Sequence, residues 1–253
     1  MPRSLFCLNL TLFCALTAAP AIHAASPASF IIEAWGGSST RGVMAVRENG
    51  RLRNIVTAEN EMAVLNQLLQ AKYGDSVRVV NRGAPSAQAI ELLNGRYKYQ
   101  HNPPWPEAMK RSSARLILLN FATNDARHFH FRDIEKAYQV SPQRYSEVMK
   151  ALIDSARANG KAVVLQEPHP LCGRAEQWNV APYAAQLGAV ARAEQVPLVS
   201  QYQRIKNLPT WRALMSPDCI HPSEALYRIK ALETFKVIER HFDAQLSALN
   251  KAS

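Results

Sequence analysis

Short apolar runs of strand length alternate along this chain with longer segments in which apolar residues recur every three or four positions. Continuous apolar runs are typical of strands buried on both faces, and the longer period is typical of helices that pack against them. The strand-like runs are Phe30–Ala34, Val77–Val80, Leu116–Phe121, Ala162–Gln166 and Pro197–Ser200. The alternation predicts an α/β protein with a doubly wound, flavodoxin-like sheet of five parallel strands and helices on both faces, a three-layer αβα fold.

The segments between these runs carry signals for helix ends. The predicted helices cover residues 57–73, 86–93, 141–158, 182–194 and 223–246. Thr57, Ser86 and Ser141 have side chains that can accept a hydrogen bond from the first turn of a helix, so they are the predicted caps. Pro142 at the first helical position and Gly160 just after the last one mark the ends of the third helix.

The first 25 residues differ from the rest of the chain. Arg3 precedes an apolar run over residues 5–19, which Pro20 interrupts before it is long enough to span a membrane, and small residues follow. This order is typical of a secretory signal peptide. The sequence therefore predicts a cleaved signal peptide over residues 1–25, a single domain over residues 26–253 and a periplasmic or secreted protein, with an uncleaved anchor as the alternative.

The chain is basic, with a formal net charge of +10. A basic exported protein can be drawn to an anionic envelope surface, although the same charge also serves solubility alone. The sequence contains no run of Lys and Arg with interleaved aromatic residues, so nucleic acid is not an expected partner. The protein is expected to be a monomer.

Four polar motifs follow one another along the chain. Ser38 comes after the first predicted strand, Gly83 after the second and Asn124 after the third, whereas Asp218 and His221 precede the last helix. The motifs read Gly36-Gly37-Ser38-Ser39-Thr40-Arg41-Gly42, Val80-Asn81-Arg82-Gly83, Ala122-Thr123-Asn124-Asp125 and Ser216-Pro217-Asp218-Cys219-Ile220-His221-Pro222. Ligands bind at the carboxyl ends of the strands in a doubly wound sheet. The motifs are therefore predicted to converge on one site.

These residue types are the parts that a serine nucleophile needs. A serine hydroxyl is a poor nucleophile until a base takes its proton, and His221 suits that task. Asp218, three residues earlier, can bond the other ring nitrogen and fix the tautomer. The backbone N–H groups of Ser38 and Gly83 and the side-chain amide of Asn124 are candidate donors to an oxyanion.

The order and content of the four motifs resemble the SGNH hydrolases, also called the GDSL esterase/lipase family. The nearest resemblance is to the compact bacterial periplasmic esterase, thioesterase and lysophospholipase branch. It implies that Ser38 is the catalytic nucleophile, His221 the base and Asp218 the carboxylate that orients it. It also implies an oxyanion hole formed by Ser38, Gly83 and Asn124.

Two positions depart from the family pattern. Gly37 stands where the family has Asp, and Ala122 stands where it has the first Gly of the third motif. The resemblance implies hydrolysis of carboxylic esters, thioesters or O-acetyl groups through an acyl-serine, with no cofactor, on a small-molecule, lipid or glycan acyl ester. The alternatives are an acyltransferase on the same fold and a catalytically degenerate module that binds glycan or lipid.

Other histidines and aromatic residues lie near the third motif. His128 and His130 alternate with aromatic residues but lack Cys or carboxylate partners at ligand spacing, so no metal site is predicted and the segment is expected to be a mobile loop near the site. The aromatic residues there, with Tyr97, Tyr99 and Trp105, can line an acyl or aryl pocket, or can pack two long loops onto the sheet.

Removal of the signal peptide changes the cysteine count. Cys7 and Cys14 leave with it, so the exported domain retains Cys172 and Cys219. Two cysteines in an oxidising compartment are candidates for one disulfide. Both are expected at the same edge of the sheet, so a bridge that tethers the Asp218–His221 loop is predicted, with two free buried thiols as the alternative.

Overall fold

The computed structural model of the protein describes residues 29–96 and 103–250. The predicted signal peptide over residues 1–25, with Cys7 and Cys14, and also Tyr97 and Tyr99, lie outside the described residues. In chain order the strands are β1 Phe30–Gly36, β2 Val43–Glu48, β3 Arg51–Val56, β4 Val77–Asn81, β5 Leu116–Asn120, β6 Ala162–Gln166 and β7 Leu198–Val199. The helices are α1 Ser38–Arg41, α2 Glu61–Tyr73, α3 Ala89–Leu93, α4 Trp105–Arg111, α5 Thr123–Phe131, α6 Pro142–Ala158, α7 Ala181–Ala193, α8 Tyr202–Lys206 and α9 Glu224–Asn250.

Five of the strands form one parallel sheet in the order β4-β1-β5-β6-β7. Counted along the chain, this is the flavodoxin-like order 2-1-3-4-5 of a doubly wound sheet. At the centre of the sheet, Ala34 of β1 is in register with Asn81 of β4 and with Leu118 of β5. The predicted fold class and strand content are confirmed.

Alternate side chains of the central strands enter two separate cores. Leu116 and Leu118 pack on one face with apolar side chains of α2 and α9. Ile117 and Leu119 pack on the opposite face with side chains of α3, α4, α6 and α7. This division follows from the two-residue period of a strand, and it explains why residues 116–119 are apolar at every position. The result is the three-layer αβα arrangement.

A β-hairpin that is absent from the predicted elements lies between α1 and α2. Strands β2 and β3 pair antiparallel, and Asn49 and Gly50 connect them with φ angles of 49° and 75°. Positive φ at both central residues is what a tight hairpin turn requires, and Asn-Gly is its strongest sequence signal. The hairpin packs beside the last helix, because the Tyr227 hydroxyl donates to the Val43 carbonyl at 2.5 Å.

Two of the three predicted helix caps are wrong. Asn60 caps α2, because its side chain accepts the Ala63 N–H at 3.1 Å. Thr57 instead follows the hairpin, and its hydroxyl donates to Glu224 at 2.5 Å. Ser86 lies in a turn with a φ of 63°, and α3 begins only after Gln88. Ser141 does cap α6, as predicted, through a hydrogen bond from the Arg144 N–H.

Ala122, one of the two departures from the family pattern, has a strained backbone. It joins β5 to α5 with a φ of 97°, a conformation that side chains rarely adopt. Such strain costs about 1–3 kcal/mol, whereas glycine adopts the conformation freely. We expect Ala122→Gly to raise the melting temperature by about 2–4 °C, as measured by thermal unfolding.

A helical alanine provides the control for this substitution. Ala151→Gly, in the middle of α6, is expected to lower stability by about 1 kcal/mol, because glycine is a poor helix former. A lower melting temperature for Ala122→Gly than for the unmodified protein would contradict the strain at this position.

Candidate active site

The predicted site residues lie at the carboxyl edge of the sheet. Ser38 is the first residue of α1, immediately after β1, and Asn124 is in the first turn of α5, immediately after β5. Asp218 and His221 lie in the loop that precedes α9. Residues separated by more than 180 positions in the sequence thus share one edge, which is where ligands bind in this class of fold.

Ser38, His221 and Asp218 form a continuous chain of hydrogen bonds. His221 Nε2 lies 2.8 Å from Ser38 Oγ, and His221 Nδ1 lies 2.6 Å from Asp218 Oδ2. Since a carboxylate only accepts, Nδ1 carries the proton of the neutral ring and Nε2 is free to accept the serine hydroxyl. The arrangement can move a proton from Ser38 to His221 while the carboxylate stabilises the imidazolium that forms.

The Asp218 carboxylate is held by its own loop. Its Oδ1 accepts hydrogen bonds from the backbone N–H groups of Ile220 and His221, both at 3.0 Å, and from the Ser216 hydroxyl at 2.9 Å. Burial on its own would raise the pKa of Asp218. The hydrogen bonds from the His221 ring and from the two backbone N–H groups outweigh burial, so the pKa of Asp218 is lowered and the carboxylate stays charged.

A second histidine, His169, supports the loop that carries Asp218 and His221. His169, almost fully buried, donates from Nε2 to the carbonyl of Ile220 at 2.8 Å. Burial lowers the pKa of His169 to about 3, with a further contribution from the Lys230 cation, so the ring stays neutral. Lys230 is itself fully buried and forms an ion pair with Glu61 at 2.9 Å. His169 therefore fixes Ile220, one of the two residues that lie between Asp218 and His221.

The structure joins Cys172 and Cys219 in a disulfide bond. Cys172 follows β6 in the chain, and its N–H also donates to the carbonyl of Cys219 at 3.0 Å. Cys219 lies between Asp218 and His221 and has a φ of 59°. The bridge and the backbone hydrogen bond therefore tie the loop to the segment after β6, beside the contact made by His169.

A small cleft with a volume of about 10 Å³ lies beside Ser38. Its wall includes Asn124, whose amide Nδ2 donates to the Ala87 carbonyl at 2.9 Å. An amide nitrogen has two hydrogens, so one holds Asn124 in place and the second is available to a ligand. Gly37 lies next to this amide, because a Cβ at Gly37 would be only 2.9 Å from Asn124 Nδ2.

Gly83 lies just after β4 and packs against α1, the helix that begins with Ser38. Its N–H donates to the Asn81 side chain at 2.9 Å, and a Cβ at this residue would lie 2.3 Å from the Arg41 nitrogen. Gly83 is therefore needed for close packing against α1, and its N–H already has a partner. The residue of this segment that borders the cleft is Ala87, and the role of Gly83 as an oxyanion donor stays a prediction.

The segment expected to be a mobile loop is helix α5. Asp125 anchors its first turn, because the buried carboxylate accepts the N–H groups of Ala122 at 3.0 Å and Ala89 at 3.1 Å. Burial raises the pKa of Asp125 to about 7, although the two N–H donors act in the opposite direction. At the far end, His128 bonds Asp133 at 2.7 Å. The helix therefore holds Asn124 at a fixed place beside Ser38.

Three residues of the site were not among the predicted ones. Ala87 positions Asn124, His169 positions Ile220, and Ser216 contacts the Asp218 carboxylate. The sequence carries a signal for two of them, since His169 lies between two prolines and Ser216 precedes Pro217 in the fourth motif. Ala87 contributes only its backbone, which no residue pattern reveals.

Comparison with known proteins identifies the family. The GDSL-like Lipase/Acylhydrolase family matches residues 34–229, a range that contains all four motifs. A sequence search of curated proteins found no significant match.

Solved structures share the fold at low sequence identity. The lipase/acylhydrolase from Enterococcus faecalis superposes with a TM-score of 0.64 and 16% identity, over 83% of this chain and 96% of that one. The acetylxylan esterase Axe2 from Geobacillus stearothermophilus gives 0.63 and 20%, over 84% and 96%. The aryl esterase from M. smegmatis gives 0.59 and 16%, over 84% and 99%. The chain therefore belongs to the GDSL-like lipase/acylhydrolase family of SGNH hydrolases and is a hydrolase that acts on esters.

Proposed function

We propose that the protein hydrolyses carboxylic esters through an acyl-serine intermediate, with Ser38 as the nucleophile, His221 as the general base and acid, and Asp218 as the residue that orients His221. The observation that carries the proposal is the hydrogen-bonded chain from Ser38 Oγ through the His221 ring to Asp218 Oδ2. It matches the geometry that a serine needs to become nucleophilic at neutral pH.

The reaction divides into two transfers of the acyl group. Ser38 Oγ attacks the ester carbonyl carbon while its proton passes to His221 Nε2. The tetrahedral intermediate then expels the alcohol, whose oxygen takes the proton from Nε2, and the acyl group stays on Ser38. Water repeats the sequence. Its oxygen attacks the acyl carbon, its proton passes through His221 to Ser38 Oγ, and the carboxylic acid leaves.

Two donors at the cleft are proposed to stabilise the negative oxygen of each intermediate. The Ser38 N–H belongs to the first turn of α1, where amides have no acceptor within the helix. The free hydrogen of the Asn124 amide is the second donor, held by the bond to Ala87. Fixed donors of this kind contribute about two to three orders of magnitude each to the rate.

The acyl group is proposed to be short. The cleft beside Ser38 has a volume of about 10 Å³, which leaves room for about one water-sized group. Release of p-nitrophenol from acetate, butyrate and octanoate esters tests both the esterase function and the preference for a short acyl group. We expect activity that falls with chain length, and no release from any of the three esters would reject the function. Product analysis with a competing sugar acceptor separates hydrolysis from acyl transfer.

The site of action is proposed to be the periplasm or the exterior of the cell, with the mature protein a monomer that contains one domain. Residues 1–25 have the pattern of a signal peptide, and an oxidising compartment suits the Cys172–Cys219 disulfide. N-terminal sequencing of the exported protein tests the cleavage after Ala24 or Ala25.

Gly37 is predicted to be required for the position of Asn124. Gly37→Ala and Gly37→Asp each add a Cβ that would lie 2.9 Å from the Asn124 amide nitrogen, so the amide must move. We expect kcat for p-nitrophenyl acetate to fall by about tenfold in both variants, because small displacements of catalytic groups are costly. Gly188→Ala is the control, since its Cβ would meet its nearest neighbour at 3.6 Å. Unchanged kcat in both Gly37 variants would contradict this dependence.

The disulfide is predicted to matter for activity as well as for stability. It closes a loop with a sequence separation of 47, which stabilises the fold by about 4 kcal/mol in the chain-entropy account. A double Cys172→Ser, Cys219→Ser variant should lose activity at temperatures where its far-ultraviolet circular dichroism is still native, because His221 is less well held against Ser38.

Thiol counting on the denatured, unreduced protein checks the bridge itself. No free thiol is expected in the exported protein, together with a linked Cys172/Cys219 peptide in the mass spectrum. Two free thiols per chain would refute the disulfide.

A further inference from the structure

A second, larger groove lies at the carboxyl edge of the sheet. It is formed by the end of α5 and by the turn Gly173–Trp178 with the residue that follows it, and the buried Tyr183 forms part of its wall. The residues that line it include Phe129, His130, Arg132, Gln177, Trp178 and Asn179. Its volume of about 350 Å³ is in the range of small-molecule sites, roughly 300–1,000 Å³.

Helix α5 connects this groove to the proposed catalytic site. Asn124 lies in its first turn beside Ser38, and Phe129, the first residue of α5 that lines the groove, lies five residues later. A helix rises about 1.5 Å per residue, so the groove begins about 7.5 Å from Asn124 along the helix axis, on a different side of the helix. A substrate with its ester at Ser38 would therefore have to extend around α5 to place a distant part of its alcohol in the groove.

The groove combines aromatic surface with exposed polar groups. Trp178 is half-buried and supplies a flat apolar face, whereas Arg132, Gln177 and Asn179 are exposed. A sugar ring matches both features, because its C–H face packs on aromatic rings and its hydroxyl groups bond to amide and guanidinium groups. A long acyl chain would desolvate the same polar groups without giving them partners, which costs free energy.

The aromatic side chains are already held in place. The Arg132 guanidinium lies over the Phe129 ring at 3.9 Å and donates to the Gln139 side chain at 3.3 Å. The Trp178 ring contacts the Phe131 ring from α5, with 6.2 Å between the ring centroids. A ligand therefore orders few side chains when it binds, which favours affinity.

We propose that this groove binds sugar units of a glycan whose O-acyl group is attacked at Ser38, so that the alcohol part of the substrate is an oligosaccharide. The inference rests on the proposed function for its catalytic part, but the groove can be tested separately as a binding site.

Tryptophan fluorescence tests binding without catalysis. Of the four tryptophans, Trp35, Trp105 and Trp211 are buried, and Trp178 alone is partly exposed. Unesterified xylotetraose or chitotetraose should therefore give a saturable change in emission through Trp178, weakened in Gln177→Ala. Octanoate serves as an acyl-chain probe. The absence of a saturable change with both tetrasaccharides would overturn the inference, whatever octanoate does.

Kinetics with two kinds of ester test the role of the groove in catalysis. Trp178→Ala and Gln177→Ala should raise KM for O-acetylated tetrasaccharides, by tenfold or more for Trp178→Ala, and leave kcat/KM for p-nitrophenyl acetate within twofold. The control Leu232→Ala changes an exposed apolar side chain on α9 and should alter neither. Unchanged KM in both groove variants would overturn the inference.

The two proposals fail in different ways. Hydrolysis of p-nitrophenyl acetate without hydrolysis of any O-acetylated tetrasaccharide would reject the glycan inference and leave the esterase function standing. Failure to hydrolyse either kind of ester would reject the esterase function, and the fluorescence titration would still decide whether the groove binds sugars.

Discussion

Ser38→Ala and His221→Ala are each expected to lower kcat for p-nitrophenyl acetate by about four to six orders of magnitude while the protein remains folded. Ser38→Ala removes the atom that forms the acyl-enzyme, and His221→Ala removes the base that lies 2.8 Å from it. Because the members of such a triad act as a unit, the two variants should have similar residual rates, and the double variant should be no slower than either.

Ser39 provides a matched control for this experiment. It is the next residue of α1, is buried and also borders the cleft, but within the described residues the His221 ring bonds Ser38 and not Ser39. Ser39→Ala should keep most of the activity. Full activity in a folded Ser38→Ala protein, or loss of activity in Ser39→Ala alone, would contradict the assignment of the nucleophile.

Asp218→Asn is expected to lower kcat by about four orders of magnitude. An amide at this position can keep the hydrogen bonds that Oδ1 accepts, but its NH₂ group would face His221 Nδ1 in place of a carboxylate oxygen. The His221 ring would then carry its proton on Nε2, and a protonated Nε2 cannot accept a hydrogen bond from the Ser38 hydroxyl. Steady-state kinetics with p-nitrophenyl acetate measure the loss.

Asp133 is the matched control, because its carboxylate also bonds a histidine Nδ1, that of His128, at 2.7 Å. It contacts neither Ser38 nor His221, so Asp133→Asn should leave kcat for p-nitrophenyl acetate within a few-fold of the unmodified protein. Equal losses in the Asp218 and Asp133 variants would mean that the catalytic role assigned to Asp218 is wrong.

The pairing of Asp218 with His221 also predicts an effect of pH on stability. The pKa of Asp218 is lowered in the folded protein, so its pairing contributes to the free energy of unfolding above the unfolded pKa of about 3.9. That contribution is lost as the pH falls through the folded pKa. Asp218→Asn should therefore flatten the acid side of a plot of unfolding free energy against pH.

The elements that could be predicted are those with strong local patterns. The central strands of the sheet are mostly apolar because they are covered on both faces, and Ser141 with Pro142 is an unambiguous helix start. The positions of Ser38, Asn124, Asp218 and His221 follow from the fold, since parallel strands bring their carboxyl ends to one edge. A single sequence is therefore sufficient to predict that these residues lie at the same edge of the sheet.

The features that the sequence does not reveal depend on contacts between distant segments. Thr57 could cap a helix by its residue type, but its hydroxyl bonds Glu224 instead. Gly83 has the residue type expected of an oxyanion donor, but its lack of a side chain is also needed for packing against α1, because a Cβ would lie 2.3 Å from the Arg41 nitrogen. The hairpin turn Asn49-Gly50 is the exception, because its signal is local and could have been recognised from the sequence.

Labelling with a fluorophosphonate tests the central claim most directly, because this reagent forms a covalent bond only with a serine whose hydroxyl is activated. The unmodified protein should gain one adduct, peptide mapping should place it on Ser38, and Ser38→Ala and His221→Ala should gain none. An adduct on Ser39 or another serine, or no adduct in a protein that hydrolyses p-nitrophenyl acetate, would contradict the proposed mechanism.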